Sequence, residues 1–187
     1  MTRKIVSIAV IAVAALAIGI PTVHAGDRTC RGTLGATTID DNLVVPRDAM
    51  CVLEGTDVRG NIIVKAGARL IATDVSVDGN VQAEDSARVV VRGGSTVGGD
   101  VQVFDGGAAR VVRSSVDGNI QLEDNDDELA VKNNDVGGDV QAFQNDGGVV
   151  IRGNQIDGNL QCKGNDPSPT GGNNSVSGNK EDQCAQL

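Results

Sequence analysis

Tryptophan and tyrosine are absent from the chain, phenylalanine occurs twice and histidine once. The missing rings remove the stacking platforms used for single-stranded nucleic acid and most of the residues that anchor protein-interface hot spots. Positive charge is scarce as well: 16 Lys and Arg stand against 25 Asp and Glu, a net charge of −9. That balance argues against nucleic acid as a partner, because its electrostatic footprint is a clustered excess of Lys and Arg.

Long apolar runs are also lacking, with one exception. Ile5 to Ile20 is broken only by Ser7 and Gly19, follows the basic Arg3 and Lys4, and leads through Pro21 to Val23-His24-Ala25. This is the layout of a secretory signal peptide, with cleavage expected after Ala25. The alternative is an uncleaved anchor, for which the run falls short of the ~20 residues of a span. No cysteine directly follows the cleavage point, where Gly26 stands, so a lipoprotein anchor is not expected. With no second such run, the mature chain should be secreted and free of the membrane. Removing residues 1–25 leaves 162 of 187 residues and, because Arg3 and Lys4 leave, a net charge of −11. The only histidine, His24, leaves too. A mature chain without histidine lacks the usual general base, the Ser-His and Cys-His nucleophile pairs and the commonest transition-metal ligand.

What the chain has in abundance is glycine, 25 residues, and a repeat. Val58-Arg59-Gly60-Asn61-Ile62 recurs as Val77-Asp78-Gly79-Asn80-Val81, Val97-Gly98-Gly99-Asp100-Val101 and Val116-Asp117-Gly118-Asn119-Ile120. Then follow Val136-Gly137-Gly138-Asp139-Val140, Ile156-Asp157-Gly158-Asn159-Leu160 and the polar Val176-Ser177-Gly178-Asn179-Lys180. The marker glycines Gly60, Gly79, Gly99, Gly118, Gly138, Gly158 and Gly178 are spaced by 19 or 20 residues. An upstream copy, Ile39-Asp40-Asp41-Asn42-Leu43, has Asp41 in the glycine place.

After each marker comes apolar-Gln-apolar alternation, as in Val101-Gln102-Val103 and Ile120-Gln121-Leu122. Period two is the signature of a strand with one buried face. About ten residues further on lie β-branched runs such as Val89-Val90-Val91 and Val149-Val150-Ile151, which also read as strands. No segment of the mature chain sustains a helical period. Two or three short strands per coil, repeated without helices, predict an all-β, single-domain parallel β-helix of about eight coils over residues 26–187. Its coils would stack ~4.8 Å apart. A step alternating between 19 and 20 does not divide into hexapeptides, which favours the right-handed form. Each marker glycine is expected to supply positive φ at a tight corner. Beside it, Asn61, Asn80, Asp100, Asn119, Asp139 and Asn159 should stack in a ladder.

The Val-x-Gly-Asn/Asp-Val/Ile units resemble those of bactofilins, bacterial β-helix proteins that form polymers. Including Asn159-Leu160-Gln161-Cys162-Lys163 and Gly178-Asn179-Lys180-Glu181-Asp182-Gln183-Cys184, residues 26–187 more closely resemble uncharacterised secreted proteins of actinobacteria. The resemblance implies the compartment and the fold.

Cys30 and Cys51 lie 21 residues apart at the start, and Cys162 and Cys184 lie 22 apart at the end. Both spacings approach one coil, so these two pairs are the expected disulfides among three connectivities. The alternative, a metal site, has no histidine to complete it, and two pairs at opposite ends cannot share an ion. With Pro167, Pro169 and the polar Lys180 to Gln183, the bridges should cap the exposed strand edges and keep the protein a monomer.

Candidate sites are rows. Gln82, Gln102, Gln121, Gln141 and Gln161 share one coil position and form either a binding ladder for glycan or protein, or an amide ladder along the stack. Arg69, Arg88 or Arg92, Arg110, Lys132 and Arg152 form a basic row, expected to pair with acids of neighbouring turns or to meet an anionic wall polymer. Within Glu123-Asp124-Asn125-Asp126-Asp127-Glu128, the residues Asp124, Asp126 and Glu128 are candidate calcium ligands or a solvated corner. Phe104 and Phe143 hold equivalent places two coils apart and mark a surface patch or corner packing. Catalysis is not expected, since coils differing by one residue leave no insertion in which to build a pocket. No cofactor is implied. The expected function is a non-catalytic structural or binding module of the envelope or extracellular space, with cell-wall glycan or an envelope protein as partner. The alternatives are a polysaccharide-active β-helix enzyme using carboxylates and a bactofilin-like polymer.

Overall fold

In the computed structural model, which describes residues 26–187, the chain winds as a parallel β-solenoid of about eight coils. The signal segment lies outside the described residues. Each coil contributes one strand to each of three sheets. Coil four shows the plan: Val81–Glu84 in the first sheet, Arg88–Arg92 in the second, and Thr96–Val97 in the third. The first sheet has nine strands, from Arg28–Thr29 to Lys180–Asp182, and the other two have eight each. All strand pairs are parallel and in register, so Val81 pairs with Val101 and Val101 with Ile120. Nine rungs at ~4.8 Å make a rod of roughly 38 Å.

Alternation explains the interior. Residues flanking each glutamine, such as Val101 and Val103, are fully buried, as are Val89 and Val91 of the second sheet. The valine that opens each repeat motif is itself the third sheet: Val97, Val116 and Val136 all point inward with at most 1% exposure. One coil buries these side chains only against the next, so the core is a single column running the length of the rod. Neighbouring coils trade volume. Coil six packs Leu122 and Leu129, while coils five and seven carry Ala109 and Ala142.

The marker glycines correct the sequence reading. None of them has positive φ; left-handed backbone falls instead at the other two corners, on Asp85, Asp105, Asp124 and Gln144, and on Asp74, Arg113, Asn133 and Asn173. Asp and Asn tolerate that region better than other residues with a Cβ, which accounts for most of these positions. The marker must be glycine because its backbone lies directly on the coil below. A Cβ on Gly79 would come 2.9 Å from Gly60 O, and one on Gly118 would come 2.8 Å from Gly99 O. The cause is close approach, with no contribution from a special dihedral.

The corner ladder beside the markers forms as expected. The Asn61 N–H donates to Asn42 Oδ1, Asn80 N–H to Asn61 Oδ1, Asp100 N–H to Asn80 Oδ1 and Asn119 N–H to Asp100 Oδ1, at 2.7–2.8 Å. Each side-chain oxygen thus fixes the backbone of the next coil. Asp serves as well as Asn because the role is that of acceptor.

Candidate functional site

Two further ladders lie inside the other corners, where Asn would not ordinarily be buried. Asn125, Asn145 and Asn165 form one, and Asn134, Asn154 and Asn174 the other. The Asn125 amide donates to Asn145 Oδ1 at 2.9 Å and to Val103 O at 3.0 Å, so both of its hydrogens are used. Asn134 does the same with Asn154 Oδ1 and Val111 O. These ladders were missed in the sequence, although Asn at a 20-residue step in two series was their signal. Below Asn125 the first series thins to Gly106 and Ser86, and Ser86 Oγ is buried without a partner.

Outside, the glutamines form an amide ladder. Gln82 Nε2 donates to Gln102 Oε1 at 3.0 Å, and the chain of donors continues through Gln121, Gln141 and Gln161 to Glu181 Oε2 at 2.9 Å. Every amide of the row spends one N–H on its neighbour. Below Gln82 the same column becomes Ile63 and Val44.

The last strand closes the ladders. Glu181 accepts from Gln161, Gln183 accepts from Asn165, and Lys180 Nζ donates to Asn174 O at 3.0 Å. Both expected disulfides are present, Cys30–Cys51 and Cys162–Cys184, with Cα separations of 5.6 and 5.2 Å. Each joins neighbouring coils at one end of the rod.

Asp124, Asp126 and Glu128 do not converge: among the described residues no group of three His, Cys, Asp or Glu could hold a metal ion. Glu128 instead reaches Arg110 at 3.1 Å, and Asp124 occupies a left-handed corner position. Phe104 and Phe143 are half-buried in one column with Glu123 between them. Phe104, Glu84, Asp105, Glu123 and Asp124 line a shallow groove of about 230 Å³.

The basic row departs most from expectation. Two ion pairs form, Arg59–Asp40 at 3.0 Å and Arg110–Glu128 at 3.1 Å. Arg69, Arg88, Arg92, Lys132 and Arg152 make no ion pair with any described residue, and the Arg92 guanidinium donates to Thr73 Oγ1. Register explains this. Arg69 pairs across the ladder with Arg88, and Lys132 with Arg152, whereas Arg92 lies between Thr73 and Val112. Glu54 ends a strand of the same sheet and Asp74 follows the strand of Arg69, yet neither forms an ion pair with the row, and further acids lie on another side of the solenoid. Asp57 and Asp135 point outward from the third sheet, and Asp40, Asp78, Asp117 and Asp157 follow its strands, all exposed.

No protein-family profile, curated protein or solved structure matches the chain. Function must therefore be read from the faces themselves.

Proposed function

We propose that this protein is a secreted, non-catalytic structural or binding module of the cell envelope or extracellular space. The unbroken register carries the reading. From Leu43 to Lys180 the first sheet advances 19 or 20 residues at every rung, so no projecting loop encloses a substrate. What the coils offer instead is three flat faces on a rigid rod. Secretion is supported by the N-terminal run Ile5 to Ile20 and by two disulfides, which persist in oxidising compartments.

A second reading has one observation in its favour. The groove beside Phe104 is flanked by Glu84 and Glu123, two rungs apart. Two rungs amount to ~9.6 Å of backbone, near the upper end of carboxylate spacings in inverting glycosidases. The readings separate in one assay. The protein is expressed from the full chain, recovered outside the cell and incubated with a panel of polysaccharides while reducing ends and unsaturated products are measured. The expected result is an exported chain beginning at Gly26, with no free thiol and no product. Retention in the cell contradicts export, and product that disappears in Glu84→Gln or Glu123→Gln establishes the enzyme.

A further inference from the structure

We infer that the outer face of the second sheet binds a linear polysaccharide carrying carboxylates, laid along the rod. The inference deepens the module reading above and rests on it. Five consecutive rungs of this sheet each present at least one outward cation: Arg69, then Arg88 with Arg92, then Arg110, Lys132 and Arg152. They trace an oblique track. Arg69 and Arg88 stand on the edge where each strand begins, Arg110 on the midline, and Arg92, Lys132 and Arg152 on the edge where each strand ends. Four steps at ~4.8 Å give a track of about 19 Å.

Three observations point to the ligand. First, Arg69 adjoins Arg88 and Lys132 adjoins Arg152 on neighbouring rungs, and five of the six cations make no ion pair with any described residue, on a chain of net charge −9. Like charges on adjacent strands repel, and a bound polyanion removes that repulsion. The one existing pair, Arg110–Glu128, is exposed at both ends and readily exchanged. Second, the track is mostly guanidinium, whose planar fork matches a carboxylate through two parallel hydrogen bonds. One cation per rung suits a polymer with one anionic group per sugar, because a pyranose unit is about as long as a rung. Third, the midline between the edges carries no charge apart from Arg110 and runs as an apolar strip that is half-exposed at Ile71 and Val150 and buried beneath its neighbours at Val90 and Ala130. Its half-exposed parts at Ile71 and Val150 suit the C–H faces of sugar rings. It offers no ring for a nucleobase, and the only exposed large hydrophobic side chain among the described residues is Met50.

The test measures binding of the oxidised protein to polygalacturonate, using the same polymer fully methyl-esterified, single-stranded DNA and phosphatidylglycerol vesicles as comparisons. Arg88→Gln/Arg110→Gln/Arg152→Gln removes three of the six cations of the track, and Arg28→Gln/Arg59→Gln/Lys163→Gln removes equal charge elsewhere. Circular dichroism shows that both variants keep the β fold. The expected result is binding to polygalacturonate that added salt weakens and esterification abolishes. The track variant should bind about tenfold more weakly or worse, and the other variant within about twofold of the parent. No binding, equal loss in both variants, or tighter binding to DNA or vesicles overturns the inference. Reducing ends are followed in the same incubation. An intact but unbound polymer defeats this inference alone, whereas a shortened polymer defeats the non-catalytic reading and leaves the face to the variant comparison.

Discussion

The second and third sheets are made by the same coils, in the same parallel register, around the same interior, yet their outer faces carry opposite charge. Arg69, Arg88, Arg92, Arg110, Lys132 and Arg152 stand on one beside a single strand acid, Glu54, and Asp57 and Asp135 on the other, with Asp40, Asp78, Asp117 and Asp157 at its strand ends. A net charge of −9 conceals this division. The difference shows where the fold leaves the sequence free. Inward positions and corners answer to packing and to the backbone of the next coil, whereas an outward residue meets only its neighbours in the column. Charge segregated by column is therefore informative in a way that the valines and glycines are not.

The largest effect expected from breaking this comparison is inside. Leu129→Ala should cost about 2–5 kcal/mol, because its fully buried side chain is shared between stacked coils. Val150→Ala on the outward strip should cost less than about 1 kcal/mol. Urea denaturation with the disulfides intact measures both, and equal costs would mean that the strip is as structural as the core. Next comes Asn145→Ala. It leaves both the amide and the N–H of Asn125, and the carbonyl of Leu122, without their partners, and should cost about 2–4 kcal/mol. On the outside, Gln121→Ala interrupts a ladder that water can replace, and about 0.5–1 kcal/mol is expected. A loss as large as that of Asn145→Ala would overturn the distinction between inner and outer ladders. Ser86→Ala should be neutral or slightly stabilising in the same assay, because it removes a buried hydroxyl that has no partner.

The repeat made the coil length, the stacking and the two disulfides legible, since each follows from spacing alone. The Gln82 to Gln161 ladder and the Asn61 to Asn159 corner were legible for the same reason: identical residues at one coil position must stack. The marker glycines were placed correctly but explained wrongly. A sequence shows that a Cβ is excluded, and only coordinates show whether a dihedral or a neighbour excludes it. The inner series Asn125, Asn145 and Asn165 was hidden because it begins within an acidic run and reads as loop. The unpaired cations were hidden for a different reason. Whether Arg88 meets an acid depends on which columns adjoin, and its neighbours on the ladder are Arg69 and Ala108.

The contrast between the two faces is tested most directly by mapping amide chemical shifts of the ¹⁵N-labelled oxidised protein during titration with oligogalacturonate. Shifts should be confined to the second sheet, strongest from Arg69 through Arg110 to Arg152, with Asp57, Asp117 and Asp135 of the acidic side unmoved. Shifts centred on the Gln82 to Gln161 row or on the acidic side, or spread evenly over the rod, would contradict it.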